Sequence, residues 1–306
     1  MFDLSNPIFH DEDAARAHLE ALRWPNGATC PFCGKVETVK ALPTEGAMGA
    51  GWYHCRECRK KFTVRVGTLY ERSKIALHKW VLATHLLTAS KKGMSAHQLH
   101  RMLGITYKSA WFMAHRIRES MREDLPTGGF GSGGGMVEID ETFIGKKTGE
   151  LSRHGYEHKF KVLSLVDRET GRARSIVVDK LNTKTVQPIV RQNVAREARL
   201  MTDEARHYVK IGREYADHQV VHHASGEYGR GNAHTNTIEG FFSIFKRGMK
   251  GIYQHCAEKH LHRYTAEFDF RYSNRSISDQ ERAEIALKGI EGKRLTYRRT
   301  GEWATA

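Results

Sequence analysis

The spacing of apolar side chains changes along the chain, and each change marks a boundary. Residues 11–24 (DEDAARAHLEALRW) carry apolar positions at helical spacing behind an acidic start, which predicts a helix. The helical period returns between Ser73 and Arg122 in three stretches: Lys74 to Ala89, a second opened by Ser95 as N-cap, and a third from Tyr107 to Met121. Gly104-Ile105-Thr106 is a short turn between the last two. A short helix, a glycine-opened turn and a longer helix make the helix-turn-helix pattern. In the third stretch Ala110, Met113, Ala114, Ile117 and Met121 form one apolar stripe, with Lys108, His115, Arg118 and Arg122 on the opposite side.

Pro126 to Gly135 holds six glycines in ten residues, which predicts a flexible hinge. Beyond it the period becomes two. Met136-Val-Glu-Ile-Asp-Glu-Thr-Phe and Phe160 to Asp167 alternate as strands, Arg168 to Arg172 turns the chain, and Ala173 to Asp179 returns. A helix from Thr183 to Val194, a short strand Arg199 to Asp203, a weak helix to Tyr215, a strand His218 to His222 and a long helix from Thr235 to Tyr253 follow. Three strands, then alternating helix and strand, then a helix is the order of a ribonuclease-H-like α/β fold. The expected organisation is an N-terminal helix (1–26), a cysteine-bearing module (27–66), the helix-turn-helix segment (73–122), the hinge (126–135), the α/β domain (136–275) and a basic C-terminal tail (276–306) with helical character from Asp279 to Gly289.

Charge narrows the class of partner. Lys plus Arg number 49 against 35 Asp plus Glu, a formal +14 that favours polyanions. Residues 71–122 alone hold ten basic side chains against Glu71 and Glu119, so more than half of the excess lies in one helical segment. That places DNA contact there, with Lys108, Arg116, Arg118 and Arg122 as the candidate residues. A hydrophobic content of 40% excludes a wholly disordered chain. No run of 18 apolar residues suggests a membrane span, and the acidic start MFDLSNPIFHDED is no secretory signal, so a cytoplasmic protein is expected.

Four of the five cysteines form two knuckles, Cys30-Pro-Phe-Cys33-Gly and Cys55-Arg-Glu-Cys58. Two thiolates three residues apart on a tight turn can reach one ion at about 2.3 Å, and four such ligands leave no open position. This predicts a structural Zn²⁺ in a zinc ribbon, with strands in Gly51 to Cys55 and Lys61 to Val66. Cys256 stands alone and reads as an ordinary thiol.

Two aspartates hold telling positions in the α/β domain. Asp140 lies on its first strand and Asp203 ends its short fourth strand; as parallel neighbours they meet at one sheet edge, where a divalent cation would offset their repulsion. On the long helix, Asn236, Glu239, Ser243, Lys246 and Lys250 fall within an arc of roughly 80°. Ile238, Phe241, Phe242, Phe245, Met249 and Ile252 form the adjacent apolar arc that fixes that face.

Taken together, CPFCG…CREC, Val137-Glu-Ile-Asp140-Glu-Thr-Phe-Ile-Gly145, Thr202-Asp203-Glu204, His234-Thr-Asn-Thr-Ile-Glu-Gly-Phe-Phe-Ser-Ile-Phe-Lys-Arg247 and His262 to Tyr272 span nearly the whole chain. In this order they resemble the insertion-sequence transposases that carry an N-terminal zinc ribbon and a DDE-like catalytic domain. The resemblance implies a DNA transposase that cleaves and transfers strands by two-metal phosphoryl transfer. Asp140 and Asp203 would hold Mg²⁺ or Mn²⁺, completed by Glu239 or Asn236, since in this group the third acid can be an asparagine followed by a lysine. Lys246 would contact phosphate near the cut, and Arg247 and Lys250 would track the strand. The implied partners are the element's terminal repeats and target DNA, and cutting and joining two ends implies a homodimer or larger complex. Glu138 shares the Asp140 face by period two and is either a minor ligand or, as the favoured reading, a structural or solvated residue. Two other readings remain open: a ribonuclease-H-like nuclease that joins nothing, and a DNA-binding regulator with a sensing α/β domain.

Overall fold

The computed structural model describes residues 3–125, 127–147, 156–227 and 229–296. The chain forms two compact units: one of residues 1–90, 94–121 and 277–306, the other of 91–93 and 122–276.

The first unit opens with α1 (Glu12–Arg23), whose Ala14 N–H is capped by the Asp11 carboxylate at 2.7 Å. The strands β1 (Val39–Ala41), β2 (Tyr53–Cys55) and β3 (Lys61–Phe62) form a small antiparallel sheet. Trp24 packs edge-on against Tyr53 and Phe62, giving this small sheet a core. Three helices follow: α2 (Leu77–Ala89), α3 (Ala96–Leu103) and α4 (Tyr107–Ser120). The Ser95 hydroxyl accepts from Gln98 N–H at 3.1 Å, the cap expected from sequence, and the turn residue Thr106 caps α4 by accepting from Ser109 N–H at 3.2 Å. Gly104 closes α3 at φ +59°, where a side chain would be strained.

The second unit is built on a five-stranded sheet of β4 (Met136–Ile144), β5 (Phe160–Asp167), β6 (Ala173–Val178), β7 (Arg199–Asp203) and β8 (Asp217–Val221). Its order is β6-β5-β4-β7-β8, with β4, β5 and β6 antiparallel and β4, β7 and β8 parallel. One face buries Val137, Ile139, Leu163 and Leu165 beneath α5 (Thr183–Asn193) and α6 (Arg206–Gly212). The other buries Ile144, Val162 and Val166 beneath α7 (Asn236–Gly248) and α8 (Glu258–Ser273). Alternation along β4 therefore sends the even-numbered residues, Asp140 among them, toward α7.

Two boundaries differ from the sequence reading. The glycine-rich segment is no free hinge where it is described. Phe130 is 2% exposed, exchanges backbone hydrogen bonds of 2.9 Å with Asn193 and Ala195, and joins the core under α5. Gly131 donates to the Asp167 carboxylate at 2.9 Å, and a Cβ there would lie 2.5 Å from that of Ala198. The glycines permit close approach to a packed surface, which composition alone cannot distinguish from flexibility. The C-terminal stretch is likewise no tail over residues 277–296; the rest of the expected tail, 297–306, lies outside the described residues. Its helix α9 (Asp279–Lys288) starts with a Ser278/Glu281 capping box, buries Ala283, Ala286 and Leu287, and completes the first unit against α2. Replacing Phe130 with Ala is expected to cost about 3–5 kcal/mol of stability; a denaturant titration showing less than about 1 kcal/mol would return this segment to the status of a linker.

Candidate functional site

The sheet register brings the acids together. Val137 and Glu138 on β4 pair with Leu200 and Met201 on β7, so continuing the parallel ladder places Asp140 beside Asp203 on the face toward α7. The Glu141 N–H donates to one Asp140 oxygen at 2.7 Å and the Ala205 N–H to one Asp203 oxygen at 3.0 Å, orienting both carboxylates. Burial pushes the Asp140 carboxyl up to about 8, with the Glu141 charge next and those of Asp203 and Glu239 adding to it. Burial also raises Asp203, aided by Glu141 and Glu204. So Asp140 on β4 feels the charges of Asp203 on β7 and Glu239 on α7 in addition to its burial, while Asp203 is half-buried and the Glu239 side chain is 48% exposed. Their oxygens do not crowd within 4.8 Å of each other as the cysteine sulfurs do.

Glu239 accepts from the Thr235 hydroxyl at 3.0 Å, and His223 Nε2 lies 3.6 Å from the same oxygen. Asn236 is the exposed first residue of α7. Lys246 lies two turns beyond Glu239, its ammonium 6.0 Å from the Phe242 ring. Two neighbouring acids are engaged with backbone: Asp167 accepts from Gly131 and Thr170 N–H, and Glu204 from His223 and Ala224 N–H.

Glu138 has a larger part than sequence suggested. It is fully buried; one oxygen accepts from Arg168 Nε at 2.5 Å and the other from Ile238 N–H at 2.8 Å. Thr235, at the N-cap of α7, supplies no side-chain cap, so Glu138 caps that helix from the neighbouring strand. Arg168 spends its remaining donors on the carbonyls of Asn232 and His234 and on His234 Nδ1. Glu141, on the other face, accepts from the buried Tyr208 hydroxyl at 2.6 Å. The period-two spacing of Glu138 from Asp140 was visible in the sequence; its partner Arg168 was hidden inside what reads as an ordinary turn.

In the first unit the sulfurs of Cys30, Cys33, Cys55 and Cys58 all lie within 4.8 Å of one another. The pairs Cys30–Cys58 and Cys33–Cys55 are each 3.6 Å apart. Four ligands at about 2.3 Å around a tetrahedral ion have edges of about 3.8 Å, so the set fits zinc.

Residues 10–61 match the transposase zinc-ribbon domain, and residues 133–273 match the ISXO2-like transposase domain. The chain belongs to the insertion-sequence transposases with an N-terminal zinc ribbon. A protein in transposable element ISH50 of Halobacterium salinarum, itself uncharacterized, is 28% identical over 257 residues, covering 79% of this transposase and 84% of its own length. Among solved structures, a chain of the simian T-cell lymphotropic virus intasome in complex with PP2A regulatory subunit B56 gamma matches 56% of this chain and 63% of its own. Its TM-score of 0.30 and 12% identity make that likeness too distant to assign a fold. Among the described residues of the transposase, no helix is long and apolar enough to cross a membrane.

The basic candidates divide. Lys108, Arg122, Arg247 and Lys250 are exposed. Arg118 is only 2% exposed and Arg116 is half-buried, its guanidinium over the Phe112 ring at 4.7 Å. A helical wheel finds the face opposite the apolar stripe, but α4 is packed from more than one side, and Arg118 and His115 go inward. Arg118 is therefore corrected from a DNA contact to a buried residue.

Two outcomes follow from these geometries. Glu138→Ala strands the Arg168 guanidinium and the Ile238 N–H, and is expected to cost about 3–5 kcal/mol in a denaturant melt; a neutral effect would remove the clamp from the account. Cys33→Ser should reduce bound zinc, one per chain in the native protein, to well below stoichiometric by metal analysis; unchanged zinc content would rule out the four-sulfur site.

Proposed function

We propose that this transposase binds the ends of its insertion sequence and cleaves and transfers DNA strands at Asp140, Asp203 and Glu239, with divalent metal bound there. The observation that carries this reading is the sheet register, which runs Asp140 on β4 alongside Asp203 on β7 on the face toward α7, with Glu239 near enough for its charge to add to the burial that raises Asp140. The strand order, three antiparallel and two parallel with an acid on each of β4 and β7, supports a ribonuclease-H-like fold. Glu239 is favoured over Asn236 because a carboxylate brings full charge to a divalent ion, whereas an asparagine carbonyl is a weaker, neutral ligand.

The donor set is all hard oxygen, which suits Mg²⁺ or Mn²⁺. When bound, such ions offset the repulsion among the acids and the charge that develops on a phosphodiester under attack. The chain's own part is to present oxygens in fixed orientation: the Glu141 and Ala205 N–H groups hold Asp140 and Asp203, and the Glu138 clamp holds α7 and with it Glu239. A water molecule attacks phosphorus and the P–O3′ bond breaks; in the second step the 3′-hydroxyl so released attacks a phosphorus of target DNA, whose own P–O3′ bond breaks to leave a new 3′-hydroxyl on the target strand. Lys246, on the same face of α7, meets phosphate beside the cut. Recognition falls to α3 and α4 as a helix-turn-helix, through the exposed Arg101, Tyr107 and Lys108 at the N-terminal end of α4 and the helix before it. Joining two ends calls for at least two copies in the reacting complex.

The test is cleavage and joining of labelled terminal-repeat DNA with Mg²⁺. Asp140→Asn, Asp203→Asn and Glu239→Gln are each expected to lose roughly 10²–10³-fold in rate, and Asn236→Ala less than about threefold. Aspartate variants that cut as well as wild type would sink the proposal, and cutting without joining would leave the nuclease reading. Stability supplies an independent check. The folded state holds the Asp140 proton up to about pH 8, whereas the unfolded chain releases it near 3.8, so metal-free stability falls as pH rises between those values. Asp140→Asn removes this loss, and without added metal at pH 8 it should raise stability by about 1–3 kcal/mol. A melting temperature below wild type under those conditions would contradict the acid cluster.

A further inference from the structure

Beyond the acids, α7 leads to a groove of about 270 Å³. Its floor is apolar and well buried: Ile144, Phe160, Met249 and Leu261. Lys159 and Lys250 line its edge together with Gln254, and no acidic residue among those described lines it. The size lies just under the range of about 300–1,000 Å³ usual for small-molecule sites, which suits one flat ring system better than a larger ligand.

The way α7 ends is unusual. After Gly248 its hydrogen bonding widens into a π turn, Met249–Tyr253, a rare form that is frequent at functional sites. Gln254 then sits at φ +53°, ψ −57°, with the His255 N–H returned to the Tyr253 carbonyl. This is a γ-turn of the rare, strained hand, on a residue that is not glycine. Such strain persists only where the surroundings enforce it, and it collects at ligand sites. It leaves Gln254 exposed on the groove wall, its side-chain amide without a protein partner among the described residues.

We propose that this groove holds one unstacked base of the DNA strand that runs along α7 away from Glu239. The inference rests on the DNA-cleaving reading of the acids. The groove's chemistry fits each part of a nucleotide: the apolar floor covers the ring, the Gln254 amide can both donate to and accept from its edge, and Lys159 and Lys250 meet the flanking phosphates. A bare phosphate would make no use of the apolar floor. An apolar peptide would make no use of two lysines unopposed by acid. Lys250 lies eleven residues beyond Glu239, about 16 Å along a helix axis or about five stacked nucleotides from the cut, with Lys246 between them.

Cys256 lines the same groove and reports its occupancy. The full chain, without added Mg²⁺ or Mn²⁺, is mixed with a duplex bearing a five-nucleotide single-stranded tail. Alkylation of Cys256 by iodoacetamide is followed by mass spectrometry of its peptide, and total binding by fluorescence anisotropy. The base-bearing tail should slow alkylation about tenfold, whereas the same tail with every base removed should bind and leave Cys256 reactive. Gln254→Ala should lose most of the protection. Gln254→Gly should lose it too while raising the melting temperature by about 1–3 °C, because glycine relieves the γ-turn. Equal protection by the abasic tail, or no protection by either tail when both bind, overturns the proposal. Because metal and cleavage are absent from this assay, its failure leaves the catalytic reading standing, and a failure to cleave is read in the other experiment.

Discussion

A carboxylate with no exposure to water sits two residues before Asp140, and the arrangement of the acids depends on it. Burying the Glu138 charge is costly unless it is paired and its lone pairs are used. Arg168 and the first-turn amide of α7 do both. The same contact settles two other problems: an N-terminus whose own cap residue offers its side chain to none of the helix's free N–H groups, and the loop before it, whose carbonyls at Asn232 and His234 are taken by Arg168. Glu138 and Asp140 lie on one face of one strand, and Ile238 and Glu239 are neighbours on one helix. A single buried ion pair therefore sets the distance between the acid on the sheet and the acid on the helix. The hydrophobic contacts of Ile238, Phe241, Phe242 and Phe245 hold α7 against the sheet, but apolar packing is non-directional. The ion pair and its hydrogen bonds supply the direction.

The parts of this arrangement legible in the sequence were those with a period. Alternation in Met136 to Phe143 and Phe160 to Asp167 gave β4 and β5 nearly to the residue, and the aromatic stripe of α7 gave its buried face. The four cysteines needed only their spacing. Asp140, Asp203 and Glu239 could be nominated because strand ends and a helix face are local properties, whereas the approach of Asp203 to Asp140 depends on the parallel pairing of β4 with β7.

What the sequence hid was decided by contacts distant along the chain. The six glycines around Phe130 have the composition of a linker, and only the docking of Phe130 beneath α5 makes them a strap. Arg118 sits on the polar side of a helical wheel, yet a helix packed from more than one side has no single solvent face. Residues 277–296 look like a basic tail until the short stripe of Ala283, Ala286 and Leu287 finds α2. Arg168 is the plainest case: it is a turn residue by every local criterion, and its partners at Glu138, Asn232 and His234 lie 30 to 66 residues away.

The distribution of charge imposes an order on the proposed reaction. A chain with an excess of +14 attracts DNA over much of its surface, and that attraction reaches only about 10 Å at moderate salt. At the acids the sign is reversed, and burial makes the repulsion felt by an approaching phosphate stronger than it would be in water. Basic side chains can therefore gather and align the strand, but they cannot bring the scissile phosphate onto Asp140 and Asp203. That last approach requires cations to be held by the acids first. In the proposed reaction DNA binding and cleavage are then separable: binding would depend on surface lysines and arginines and weaken with salt, while cleavage would depend on neutralising a small, partly buried acid cluster and respond to divalent metal.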